Sequence, residues 1–81
     1  MPYFVYMVQC ADGTYYTGIT TDLSRRVTEH NESAKGARYT STRRPVVLVY
    51  QEEAADRSAA SKAESKLKRL TRAQKSLLRQ D

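Results

Sequence analysis

The opening of the chain restricts the fold most. Tyr3–Gln9 and Thr14–Thr20 are two runs of aromatic and β-branched residues on either side of Asp12-Gly13. Such residues favour a pleated, half-buried surface, and a glycine between them accepts positive φ without steric cost. Residues 3–20 therefore predict an antiparallel hairpin, and the remaining residues must cover it. Asp22 is suited to cap a following helix, its carboxylate facing the unpaired amides of the first turn. Leu23, Val27 and His30 fall at i, i+4 and i+7 and form one stripe, and Asn31–Ser33 ends the periodicity.

Ala34–Pro45 reads as a polar, basic loop carrying Lys35, Gly36, Arg38, Arg43 and Arg44, with Tyr39 and the hydroxyl run Thr40-Ser41-Thr42 among them. Pro45 disfavours helix before it. Val46–Tyr50 is a continuous apolar run, the pattern of a buried central strand. A helix starting at Asp56 or Ser58 and running to about Leu70 has an apolar stripe of Ala60, Ala63, Leu67 and Leu70. Thr71 and Gln74 form a capping-box pattern for a short second helix, with Leu77 and Leu78 to bury. The order ββ-α-β-α-α predicts an α+β domain, a three-stranded, mainly antiparallel sheet flanked by helices.

The chain has 81 residues, enough for one domain over residues 1–81, and its core must be compact. A lone cysteine, Cys10, excludes an internal disulfide framework. A cytoplasmic location is expected, since no signal-peptide pattern opens the chain. No apolar run approaches the ~20 residues of a membrane helix. The net charge is +5, and all of it lies in residues 54–81, with eight basic side chains against three acidic ones. A basic surface of this kind suits a polyanionic partner, most often nucleic acid, although a solvated helix face explains the charge as well.

Most catalytic kits are missing. One histidine and one cysteine cannot build an ordinary zinc site, and neither a glycine-rich phosphate loop nor a nucleophile elbow is present. Five residues remain. Tyr6 and Tyr16 lie on neighbouring strands of the hairpin, where their side chains can approach each other; a phenol can hold or deprotonate a water. Arg26 and His30 share a helix face, and a guanidinium suits a phosphate and the charge that grows on it. Arg25 competes for that role but points about 100° away. Glu64 lies at the edge of an apolar stripe, where a carboxylate is costly unless a cation compensates it. Each also has an ordinary explanation: strand packing for the tyrosines, surface cover for Arg26, an extended apolar stripe for His30, and an i, i+4 ion pair with Lys68 for Glu64. Loop 34–45, with basic groups around Tyr39, can track a backbone and stack a base, or be simply solvated.

Taken in order, Phe4-Val5-Tyr6, Tyr16-Thr17-Gly18, Asp22-Leu23-Ser24-Arg25-Arg26, His30 and Glu64 resemble the GIY-YIG nuclease domain, most closely its small stand-alone bacterial members. The resemblance runs from about Tyr3 to Lys75. It implies the GIY-YIG fold and a metal-dependent endonuclease acting on DNA, in repair or recombination. It implies catalytic roles for Tyr6, Tyr16, Arg26, His30 and Glu64, with Glu64 the ligand of a divalent ion, Mg2+ or Mn2+. Gly18 would let backbone and substrate come close, and Lys35, Arg38, Tyr39, Arg43 and Lys68 would bind the strand. Phe4 replaces the glycine of the first half-motif and Thr17 the isoleucine of the second, and the asparagine that larger members carry after the glutamate has no match. Two rivals predict different behaviour. A non-catalytic nucleic-acid-binding module binds in chelator and never cuts, and a protein-interaction adaptor has no affinity for DNA. Both monomer and homodimer are compatible with the sequence.

Overall fold

The computed structural model describes residues 2–80. The hairpin forms as the sequence predicts. β1 (Tyr3–Gln9) and β2 (Tyr15–Thr20) pair antiparallel, with Tyr6 opposite Gly18 and Val8 opposite Tyr16. Gly13 turns the chain at φ 85°. Asp12 Oδ1 accepts from both the backbone amide and the hydroxyl of Thr14, at 3.1 and 2.6 Å, an Asx turn that fixes the bend.

α1 (Leu23–Glu32) is capped by Asp22, whose side chain accepts from the Arg25 amide at 3.0 Å. The loop after it is not wholly irregular: it contains a one-turn helix, α2 (Arg38–Ser41), too short to leave a periodic signal. β3 (Val47–Ala54) follows. α3 (Arg57–Lys68) starts from an Asp56 cap, and α4 (Arg72–Leu77) from the reciprocal Thr71–Gln74 capping box.

The sheet is three-stranded and antiparallel, in the order β2-β1-β3. The architecture is the expected α+β one, with two corrections. The central strand is β1, whose Val5, Tyr6, Met7 and Val8 are all buried. β3 is an edge strand, and its Val47 is 61% exposed. An apolar run records apolar cover over a strand's faces and does not fix its place in the sheet, and here β1 of the hairpin takes the middle. The outer edge of β3 meets the C-terminal residues instead: the Gln80 amide donates to Val49 O at 2.8 Å, and Gln80 Oε1 accepts from the Gln51 amide at 2.9 Å. The second correction is Leu77, which is 86% exposed and buries nothing.

Alternation along β1 assigns the two faces. Tyr6 and Val8 pack with Val46, Tyr16, Leu48 and the α1 residues Leu23 and Val27. Val5 and Met7 point to the opposite face, which α3 covers with Ala60 and Leu67 buried. Thr17, opposite Met7, is 3% exposed, and its hydroxyl has no hydrogen-bond partner. The end of α1 is tied down twice. Arg44 donates to the His30 and Ser33 carbonyls, both at 2.6 Å, a cation on the unsatisfied carbonyls of a helix C-terminus. The Asn31 amide group exchanges two hydrogen bonds with the Val46 backbone.

Candidate active site

The site forms where α1 crosses the hairpin. His30 ends the α1 stripe, so it is carried down onto the sheet face beside Tyr6, and both residues are enclosed, at 0% and 1% exposure. Tyr6 Oη and His30 Nε2 are 2.7 Å apart. The other ring nitrogen, Nδ1, lies 2.9 Å from Thr40 Oγ1 and 3.3 Å from the Ala37 amide. His30 thus extends the apolar stripe and is also hydrogen-bonded at both ring nitrogens. Burial, and then the Arg26 charge, push its pKa down to about 4, so the imidazole is neutral at neutral pH.

Gly18 has a local task. A Cβ built there would stand 2.6 Å from the Tyr6 hydroxyl. The absent side chain is the space the phenol occupies, so what Gly18 demonstrably brings close to the strand is Tyr6. Burial raises the Tyr6 pKa, against a hydrogen bond and a charge from Arg26 that lower it. The phenol is therefore protonated at rest.

Arg26 is the turned-in arginine of its pair: its side chain is 25% exposed against 64% for Arg25. It is also braced. Nη1 donates to Glu29 Oε1 at 3.2 Å and to the Lys35 carbonyl at 2.9 Å, and the guanidinium charge acts on the Tyr6 phenol. A guanidinium has five N–H donors in a planar fork, so this bracing leaves donors for an incoming anion.

Tyr16 is half-buried and joins a stack. Its ring lies edge-on to His30 at 5.3 Å and is stacked with Tyr39 at 6.0 Å, and the Arg43 guanidinium lies over the Tyr39 ring, 4.0 Å from its centroid. Arg43 is held there by Asp12 at 3.1 Å. Tyr39 thus contacts both Tyr16 and Arg43 and remains 39% exposed. Lys35 and Arg38 lie on the same loop, and both are exposed.

Glu64 comes from α3. Its side chain is 23% exposed and its carboxylate pairs with Lys68 Nζ at 3.5 Å, while Lys68 itself is 57% exposed. The pair expected from i, i+4 spacing is therefore present, and it occupies Lys68, which the sequence offered as a strand-binding residue. The Glu64 charge is also felt at the Tyr6 phenol, where it raises the pKa. Tyr6, Tyr16, Arg26, His30 and Glu64 thus share one electrostatic neighbourhood. Among the described residues, no group of three or more His, Cys, Asp or Glu side chains is gathered to enclose a metal.

Four participants carry no clear signal in the sequence. Thr40 is visible there only as part of a hydroxyl run, and nothing in one sequence ties it to His30. The Ala37 amide has no side-chain signal. Glu29, three residues after Arg26, has the spacing of a helix ion pair. Arg44 groups with the loop cations, yet it caps α1.

Comparison with known proteins agrees with this fold and motif order. The family model of the GIY-YIG catalytic domain matches residues 2–77. A UPF0213 protein of Desulfotalea psychrophila is 64% identical over 76 residues, 94% of this chain and 69% of that protein. One from Halobacterium salinarum is 51% identical over 74 residues, 91% of this chain and 95% of that protein. These names state no activity. Among solved structures, the solution NMR structure of a protein from E. faecalis superposes with a TM-score of 0.64 at 42% identity, covering 95% of this chain and 81% of that one. That of a UPF0213 protein from Bacillus halodurans gives 0.59 at 41%, covering 96% and 82%. Motif order, fold and relatives agree: the chain belongs to the GIY-YIG catalytic domain family, a nuclease-type family with small stand-alone UPF0213 relatives.

Proposed function

We propose that this protein is a divalent-metal-dependent endonuclease that hydrolyses phosphodiester bonds in DNA. The observation that carries the reading is the gathering of two phenols and a braced guanidinium around one neutral, buried histidine, with the partly buried Glu64 carboxylate acting on the Tyr6 phenol through its charge. Arg26 is held on one side by Glu29 and Lys35 O, and it offers its remaining donors to the scissile phosphate and to the charge that builds there. Water attacks phosphorus in line. Its proton goes to a tyrosine whose own hydrogen passes on to a phosphate oxygen or to solvent: Tyr6, which His30 holds, or Tyr16, which is only half-buried and open to water.

Glu64 fits a hard cation that keeps most of its own waters, because a site of this kind draws on one or two protein carboxylates together with substrate phosphate. Lys68 is exposed enough to swing aside. A magnesium or manganese ion bound there would supply Lewis-acid polarisation of the phosphate and neutralise charge at the leaving oxygen. Lys35, Arg38 and the basic residues of α3 and α4 would hold the strand through its phosphates, with an affinity that falls as salt rises. A role in DNA repair or recombination and a cytoplasmic location accord with this activity.

Cleavage of labelled single-stranded, duplex and branched DNA, with magnesium, manganese or chelator, tests the proposal. Arg26→Ala and Glu64→Ala should each slow cutting by about 10²–10³ without unfolding the chain. Normal cleavage by Glu64→Ala in magnesium would show that the ligand is misassigned. The Glu64–Lys68 pair favours a second reading, a module that binds nucleic acid without cutting. That reading predicts binding in chelator and no product with either metal.

A further inference from the structure

We infer that the Ala37 backbone amide holds His30 as its Nε2–H tautomer, so that the histidine donates a hydrogen bond to the Tyr6 oxygen and does not accept one from it. Two arrangements of protons compete at His30. In the first, Nδ1–H donates to Thr40 Oγ1 and Nε2 accepts from the phenol. In the second, Nδ1 is bare and accepts, and Nε2 carries the proton.

Thr40 alone does not decide between them. Its hydroxyl lies 2.9 Å from Nδ1 and 2.9 Å from Ala37 O, so it can donate to either, and a hydroxyl hydrogen turns to suit its surroundings. Nor does Ala37 O require that hydrogen, since it already accepts from the Thr40 and Ser41 amides at 3.1 and 3.2 Å. The Ala37 amide is different. Its hydrogen is fixed by the backbone and points at Nδ1 over 3.3 Å. With a proton on Nδ1, that amide would face another hydrogen and lose its acceptor, a costly loss for a part-buried group. Only the Nε2–H form satisfies the amide, the hydroxyl and both ring nitrogens together.

The consequence concerns Tyr6. Its oxygen accepts from His30 Nε2–H over 2.7 Å, with the Arg26 charge acting on it, so its own hydrogen is not shared with the imidazole. His30 is then a positioning residue and not the base behind Tyr6. This consequence rests on the nuclease reading, whereas the tautomer can be measured whether or not the chain cuts DNA.

The backbone suggests a clean probe. Ala37 has φ −64° and ψ 145°, values that proline adopts, so Ala37→Pro deletes the amide hydrogen and keeps the backbone angles, while its Cδ takes the hydrogen's place and moves the imidazole off the amide. Long-range ¹H–¹⁵N correlation spectra of the imidazole report which nitrogen carries the proton. At pH 7 the wild-type protein should show the Nε2–H form. Ala37→Pro should shift the ratio about tenfold toward Nδ1–H, and Thr40→Val, which keeps the amide, should leave the Nε2–H form in place. A wild-type spectrum with the proton on Nδ1 overturns the inference, and so does a folded Ala37→Pro variant with unchanged His30 signals. If Ala37→Pro does not fold, Thr40→Val decides: a flip to Nδ1–H or a mixture refutes the amide's role, and retention of Nε2–H upholds it.

Discussion

Acidification from pH 7 to pH 5 perturbs one buried group selectively. His30 is 0% exposed, and its pKa is pushed down from 6.5 to about 4. In the unfolded chain the imidazole takes up its proton as the pH falls through 6.5, while in the folded chain it stays neutral until about 4. The unfolded state therefore binds more protons throughout that window, and stability declines as the pH drops. A tenfold change in proton affinity is worth about 1.4 kcal/mol, so the full loss is about 3 kcal/mol, complete below pH 4, and about 2 kcal/mol is already gone at pH 5. The sign is opposite to that of a histidine with a carboxylate partner, because burial and the Arg26 charge both disfavour the imidazolium here. Asp12, whose pKa is depressed mainly by hydrogen bonds from Thr14, adds its own acid loss only below its ordinary value of 3.8, so the window from pH 7 to 5 belongs to the histidine.

Urea unfolding at pH 7 and pH 5 measures this directly, with the wild-type chain set against His30→Gln. Glutamine can still hydrogen-bond but does not titrate. The wild-type curve should shift by about 2 kcal/mol, or roughly 8–16 °C in Tm for a domain of this size, while the variant, less stable at both values, should shift by much less. A wild-type loss under about 0.5 kcal/mol, or an equal loss in the variant, would refute the assignment of a buried neutral imidazole.

Three further outcomes are expected. Thr17→Val should stabilise the fold by about 1 kcal/mol in chemical denaturation, because it removes a buried hydroxyl without a partner; a destabilised variant would mean that the hydroxyl is satisfied in solution. Gly18→Ala places a methyl 2.6 Å from the Tyr6 hydroxyl, so the phenol must leave His30, at a cost of about 1–3 kcal/mol; unchanged stability and unchanged His30 imidazole signals would show that the phenol has room to spare. Arg43→Ala uncovers one face of Tyr39 and deletes a cation. The slope of log affinity against log salt for DNA should fall by about one, and tighter binding would instead mean that Arg43 masks a stacking surface.

The local elements were legible because each carries its own chemistry. The Asx turn at Asp12, the caps at Asp22, Asp56 and Thr71, and the β1 limits follow from residues within a few positions of one another. What misled was non-local. Val46–Tyr50 is as apolar as a central strand, yet β1 lies in the middle because it pairs on both sides. Composition records how much of a strand is buried, whereas strand order depends on partners far along the chain. α2 escaped for the opposite reason, since a single helical turn is too short for a period to register.

The same division runs through the site. Arg26 was separable from Arg25 because 100° of helix rotation decides which one turns inward, a purely local matter. For His30, Glu64 and Tyr39 the structural and the chemical readings compete in the sequence, and packing makes them compatible. His30 continues the Leu23–Val27 stripe and lies 2.7 Å from a phenol, and Glu64 pairs with Lys68 while its charge reaches Tyr6. Tyr39 contacts both Tyr16 and Arg43 and follows the Lys35–Arg38 stretch in the chain. A small domain has few buried positions, so its core and its site must share residues. The same enclosure that lowers the His30 pKa also fixes the imidazole that holds Tyr6. Substitutions here should therefore change stability and site geometry together, and a loss of cutting by a His30 or Tyr6 variant carries mechanistic weight only beside its unfolding curve.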